Sequence, residues 1–122
     1  MKYVLSIYND EGDWNSISDE DRQAVSEAYG VLTQEMQEKG VLVAGEALYP
    51  TQTATTVRVR DGESNVTDGP FAETKEQLGG FLLIDAPSSD EARVWATKVP
   101  AARYGAVEVR PVVPVEAEVA AS

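Results

Sequence analysis

Asp68, Glu46, Tyr8, Tyr29, Phe71 and Arg110 are the residues whose types and settings could carry chemistry in this chain. Asp68 opens Asp68-Gly69-Pro70, where a turn would present its carboxylate next to a glycine that lets a ligand approach the backbone closely. The competing role is local, because Asp side chains cap their own turns by accepting from the N–H two residues on. Glu46 stands beside Gly45 in the apolar run from Val41 to Tyr49, and a carboxylate buried there needs an arginine (Arg58, Arg103 or Arg110), a proton or a wet cavity. With Asp68 or Glu46 as a general base, Tyr29 or Arg110 would stabilise negative charge developing on a small aromatic or carbonyl-bearing metabolite. The structural alternatives are that Tyr8 and Tyr29 pack the core, Phe71 anchors its turn, and Arg110 and Glu108 pair across to a neighbouring strand.

Composition removes most other chemistries. The chain has no histidine, so Ser-His-Asp triads, Cys-His pairs and His-ligated metals are excluded, and acid–base work falls to carboxylates, Tyr, Lys or water. It has no cysteine, which removes disulfides and thiolate metal sites and fits a reducing compartment, the cytoplasm. Gly79-Gly80 precedes a strand rather than a helix, the reverse of the order that phosphate loops use. The acidic clusters Asp10-Glu11-Asp13 and Asp19-Glu20-Asp21 lack EF-hand spacing. No metal and no cofactor are expected. A formal charge of −11 repels phosphate backbones and anionic lipid, so neither direct nucleic-acid binding nor a membrane partner is expected. The opening MKYVLSIYNDEGDW turns acidic where a signal peptide would stay apolar.

The elements that must position these residues follow from periodicity. Tyr3 to Tyr8 reads as a central strand, and Asn9 to Ile17 as a loop in which Trp14 could rim a pocket or a dimer contact. Ser18 caps a helix over Asp19 to Lys39, with Val25, Ala28, Tyr29, Leu32 and Met36 as its apolar stripe and Gly40 past its end. Val41 to Tyr49 and Thr53 to Arg60 read as strands, Asp61-Gly62 as a hairpin turn and Asn65 to Thr67 as its short return arm. Thr74 to Gln77 would form one helical turn before the buried strand Phe81 to Ile84. Ser88 and Glu91 have capping-box spacing ahead of a stripe of Ala92, Trp95, Ala96 and Val99, and Ala106 to Val113 is the last strand. The order is βαββαβ plus a hairpin arm, an α+β, ferredoxin-like pattern with an antiparallel sheet and both helices on one face. Several strands are apolar on both sides, so a second copy packing sheet against sheet is the simplest cover for the other face.

The run from Asp68 to Glu76, DGPFAETKE, followed by Gln77-Leu78-Gly79-Gly80-Phe81, resembles the signature of the DGPF branch of the YCII-related proteins. Val43-Ala44-Gly45-Glu46 and the segment from Pro100 to Pro111 extend the likeness over residues 1–113, leaving 114–122 as a tail. The resemblance implies a ferredoxin-like fold that dimerises into an α+β barrel. Some YCII-related proteins carry an Asp–His pair that points to acid–base catalysis, and one participates in dechlorination of an aromatic ring. Tyr29 sits near where that histidine would lie, judged by distance from the glycine ending the first helix. Relatives of the DGPF type are often encoded beside extracytoplasmic-function sigma factors, which implies a regulatory setting. The combined reading is a homodimer, noncatalytic or weakly catalytic, binding a small molecule in a cleft between sheet and first helix near Asp68, Glu46 and Tyr29. The alternatives are an acid–base enzyme using carboxylates in place of histidine, and a protein partner of a transcription regulator.

Overall fold

The computed structural model describes residues 1–115, so most of the tail expected from residue 114 lies outside the described residues. The chain runs β1 (Lys2–Asn9), α1 (Glu11–Ser16), α2 (Asp19–Glu38), β2 (Leu42–Ala47), β3 (Thr55–Arg60), β4 (Glu63–Asp68), β5 (Gln77–Asp85), α3 (Ser89–Thr97) and β6 (Ala106–Pro111). Short 3₁₀ turns occupy Thr51–Thr53 and Pro100–Arg103. Strands β2-β5-β1-β6 make a four-stranded antiparallel sheet in the order a ferredoxin-like chain produces. None of the described helices is long and apolar enough to cross a membrane.

Local chemistry accounts for the helices. The Ser18 hydroxyl accepts from the Asp21 N–H at 3.0 Å, and Asp19, Glu20 and Asp21 complement the positive N-terminal end of α2. At the other end Gly40 adopts φ 68°, and the Gly40 and Val41 N–H groups bond back to Gln37 and Met36, closing a Schellman motif. Ser88 likewise caps α3 through the Glu91 N–H. Both helices lay their stripes on one sheet face, where Leu5, Met36, Ile84 and Val99 are fully buried among Tyr3, Leu82, Ala92 and Trp95. Each such side chain contributes roughly 1.5–3 kcal/mol of burial. The Lys39 and Lys98 ammoniums lie over the Trp95 ring, and both bond to Glu35, tying the C-terminal ends of α2 and α3 together. Alternation along β1 and β5 turns Val4, Tyr8, Phe81 and Leu83 to the opposite face, where no described helix lies.

Three expectations need correction, and the expected hairpin forms apart from the main sheet. Asn9 to Ile17 is not all loop: Asp10 caps α1 by accepting from the Gly12 and Asp13 N–H groups, a local signal outweighed on reading by the poor helix formers Gly12 and Asn15. Thr74 to Gln77 forms no helical turn, because Gln77 is drawn into β5, whose pairing with β1 reaches Asn9. Strand β3 pairs with β4 in a separate two-stranded sheet, and its turn at Asp61 (φ 53°) and Gly62 (φ 79°) is the expected hairpin. Glu46 is exposed rather than buried, since β2 is an edge strand of the main sheet, and it needs no compensating arginine.

Candidate functional site

A cleft of about 540 Å³ opens between α2 and the sheet. Its floor is low because Gly45 and Gly80 lie on the helix-facing side: a Cβ on Gly45 would stand 2.7 Å from Leu82 Cδ2, and one on Gly80 2.7 Å from the Glu46 carbonyl oxygen. At Gly80 the backbone of β2 approaches too closely for a side chain, at Gly45 the Leu82 side chain takes the room, and the space above is left to a guest. Val25, Tyr29 and Thr33 of α2 form one wall. Trp14 of α1, Tyr49 and Tyr104 form the rim, so the lining is mainly aromatic and aliphatic with few polar atoms.

Two polar features stand out. The first is a tyrosine pair. Burial, and then the neighbouring Tyr104 phenol, push the Tyr29 hydroxyl up to about 12, against a smaller opposing effect of a backbone hydrogen bond at Ala101. Burial also raises Tyr104, partly offset by its hydrogen bond with Tyr29. Tyr29 therefore stays protonated at neutral pH, able to donate or accept one hydrogen bond in the cleft. The second is Glu11, whose two carboxylate oxygens accept from the Thr51 N–H and the Thr51 hydroxyl, each at 2.8 Å. The Glu11 N–H in turn donates to Gln77 Oε1 at 3.0 Å, so α1 is clamped to the Thr51–Thr53 turn and to β5 at the cleft rim.

The expected site residues separate. Tyr29 lines the cleft, and so does Trp14. Glu46 borders it, but as cross-strand partner of Phe81 it alternates with Gly45, so its carboxylate belongs to the opposite sheet face together with Tyr8. Asp68 ends β4, exposed, away from the cleft; the turn after it is held by Gly69 N–H to Ala54 and by the Thr56 hydroxyl to the Gly69 carbonyl. Phe71 does not anchor its turn: it is 77% exposed and borders a shallow groove on the β3–β4 hairpin with Thr56 and Arg58. Arg110 bonds Glu108 of its own strand at 2.8 Å instead of reaching a neighbouring strand. Glu11, Tyr49 and Tyr104 carried no sequence signal of a shared site, since Glu11 lies 40 residues from Thr51. Among the described residues no group of three His, Cys, Asp or Glu comes together in a way that could hold a metal ion.

Comparison with known proteins gives two findings. Residues 1–116 match the family model of the YCII-related domain. An uncharacterized protein of Rhizobium meliloti is 42% identical over 113 residues, covering 91% of this chain and 91% of that protein.

Proposed function

The chain belongs to the YCII-related family, and from that premise we propose that it is a cytoplasmic, small-molecule-binding homodimer of the DGPF branch, noncatalytic or weakly catalytic. The observation that carries this reading is the glycine-floored cleft of about 540 Å³ with its aromatic lining and the Tyr29–Tyr104 pair. Its size and its few convergent polar groups suit a small ligand. A binding role is favoured over acid–base catalysis because the two carboxylates best suited by sequence do not meet in the cleft: Asp68 lies on the hairpin, and Glu46 borders the cleft but its side chain alternates to the other face. The raised Tyr29 phenol is a poor base at neutral pH.

Dimerisation is supported by the face that carries Val4, Tyr8, Phe81 and Leu83, which the helices leave uncovered. The β3–β4 hairpin supports it too, because a lone two-stranded ribbon is marginal in water and this one exposes Val57 and Val66 as a cross-strand pair. The DGPFAETKE run supports the branch assignment, and the lack of cysteine the compartment.

The test is a thermal-shift screen of the full chain against small aromatic and aliphatic metabolites, paired with Thr33→Trp, which places an indole in the cleft. A ligand at a hundred times its Kd stabilises by about 2.7 kcal/mol, and that gain should vanish in the variant. If no compound shifts the native chain, or if shifts persist unchanged in Thr33→Trp, the cleft is not a binding site. Sedimentation velocity at micromolar concentration checks the dimer.

A further inference from the structure

We infer that the cleft selects small organic cations, an ammonium group on an aromatic or branched apolar body, over neutral and anionic molecules of the same shape. The inference rests on the small-molecule reading above and names its ligand class.

Charge is the first argument. The chain has ten Lys and Arg residues, and among the described residues none of them lines the cleft, whereas Glu11 does. The Glu11 carboxylate is held by two neutral donors, the Thr51 N–H and hydroxyl, so its negative charge is positioned but not neutralised. Of the cations near the rim in sequence, Arg22 is committed elsewhere, pairing with Asp19 at 2.5 Å and donating to the Trp14 carbonyl at 3.0 Å, and Arg103, next to Tyr104, is exposed and does not line the cleft. An anionic ligand entering the cleft would shed water without meeting a counter-charge, and that desolvation is costly. A cation meets Glu11 at the rim, and the net charge of −11 raises its local concentration.

The lining is the second argument. Trp14, Tyr29, Tyr49 and Tyr104 supply four aromatic rings around one cleft. Aromatic faces carry the negative end of the ring quadrupole and attract ammonium groups, which is how quaternary amines and methylated lysines are recognised. The Tyr29 and Tyr104 phenols are neutral at physiological pH, as burial only raises them further, so these hydroxyls add no counter-anion of their own and the charge preference falls on Glu11. The ammonium end is thus placed at the mouth, between α1 and the Thr51–Thr53 turn, with the apolar body over Gly45 and Gly80.

The experiment is isothermal titration of the full chain with three probes of matched shape: 2-phenylethylammonium, 2-phenylethanol and phenylacetate. The expected result is tightest binding of the ammonium, at least fivefold over the alcohol, with phenylacetate weakest, and an ammonium affinity that falls as salt is raised. Glu11→Gln keeps an acceptor for Thr51 and removes the charge, and should bring the ammonium and alcohol affinities together. Should that variant fail to fold, the ranking of the three probes on the native chain still decides the charge selection. Equal or tighter binding of the alcohol or of phenylacetate overturns the charge selection and leaves the small-molecule reading standing. Binding of none of the three at millimolar concentration overturns the selection as well, and the wider metabolite screen then judges the small-molecule reading separately.

Discussion

Gly80→Ala is the perturbation that interrogates the cleft floor most directly. An alanine Cβ there would stand 2.7 Å from the Glu46 carbonyl oxygen and 3.2 Å from the Ala47 Cα, both backbone atoms of β2. Favourable carbon contacts lie near 3.5–4.0 Å, so β2 would have to move away from β5 by roughly half an ångström or more. That movement strains the pairs Glu46 with Phe81 and Ala47 with Gly80, at the end of an edge strand. Overpacking of this kind costs about 1–3 kcal/mol, and the contact with backbone places Gly80→Ala at the upper end, near 2–3 kcal/mol. Alanine returns about 0.5–1 kcal/mol by narrowing the unfolded ensemble. Gly45→Ala is the control: its closest neighbour, at 2.7 Å, is Leu82 Cδ2, the far end of a side chain, and the nearest backbone atom is the Phe81 carbonyl oxygen at 3.3 Å, so it should cost less than Gly80→Ala. Urea unfolding with a shared slope should give a lower midpoint for Gly80→Ala than for Gly45→Ala, and thermal melts a drop of roughly 5–10 °C for the former. A Gly80→Ala midpoint equal to that of the native chain, or a Gly45→Ala variant that is the less stable of the two, would refute the close approach on which the cleft depends.

Gly30→Ala should raise stability by about 0.5–1 kcal/mol, because Gly30 lies inside α2 with open space where its Cβ would go; an unchanged or lower melting temperature would contradict the helical setting. Folding should weaken as pH rises from 10 toward 12. Tyr29 binds its proton more tightly folded than unfolded, so stability is intact below pH 10 and is lost as pH climbs through the folded value of about 12. The upper bound of about 2.7 kcal/mol shrinks to about 1–2 kcal/mol, since solvent reaches the cleft, and Tyr29→Phe should flatten that decline in denaturant titrations. Leu83→Glu places a charge on the uncovered sheet face and should convert the expected dimer to a monomer in sedimentation velocity without unfolding the chain; an unchanged sedimentation coefficient would remove that face from the interface.

The two long helices, their caps and the hairpin turn were legible in the sequence because each depends on groups within a few residues of one another. Ser18 and Asp21 sit three apart, as do Ser88 and Glu91, and Asp61-Gly62 adopts its turn on its own φ preferences. The missing histidine and cysteine settled by themselves which chemistries were closed. A cleft between the sheet and the helix that carries Tyr29 was expected from the sequence, but its floor and rim were not legible. Its floor exists because β2 and β5 approach so closely at Gly80, and its rim because Glu11 meets Thr51 across 40 residues and Gln77 across 66. Asp68 was drawn toward the site by a conspicuous turn motif, yet β3 and β4 pair with each other apart from the main sheet and carry it elsewhere. Caps and turns are short-range energies that the chain writes locally; which strand faces which, and what space remains between them, is decided when distant segments compete to bury the same apolar surface.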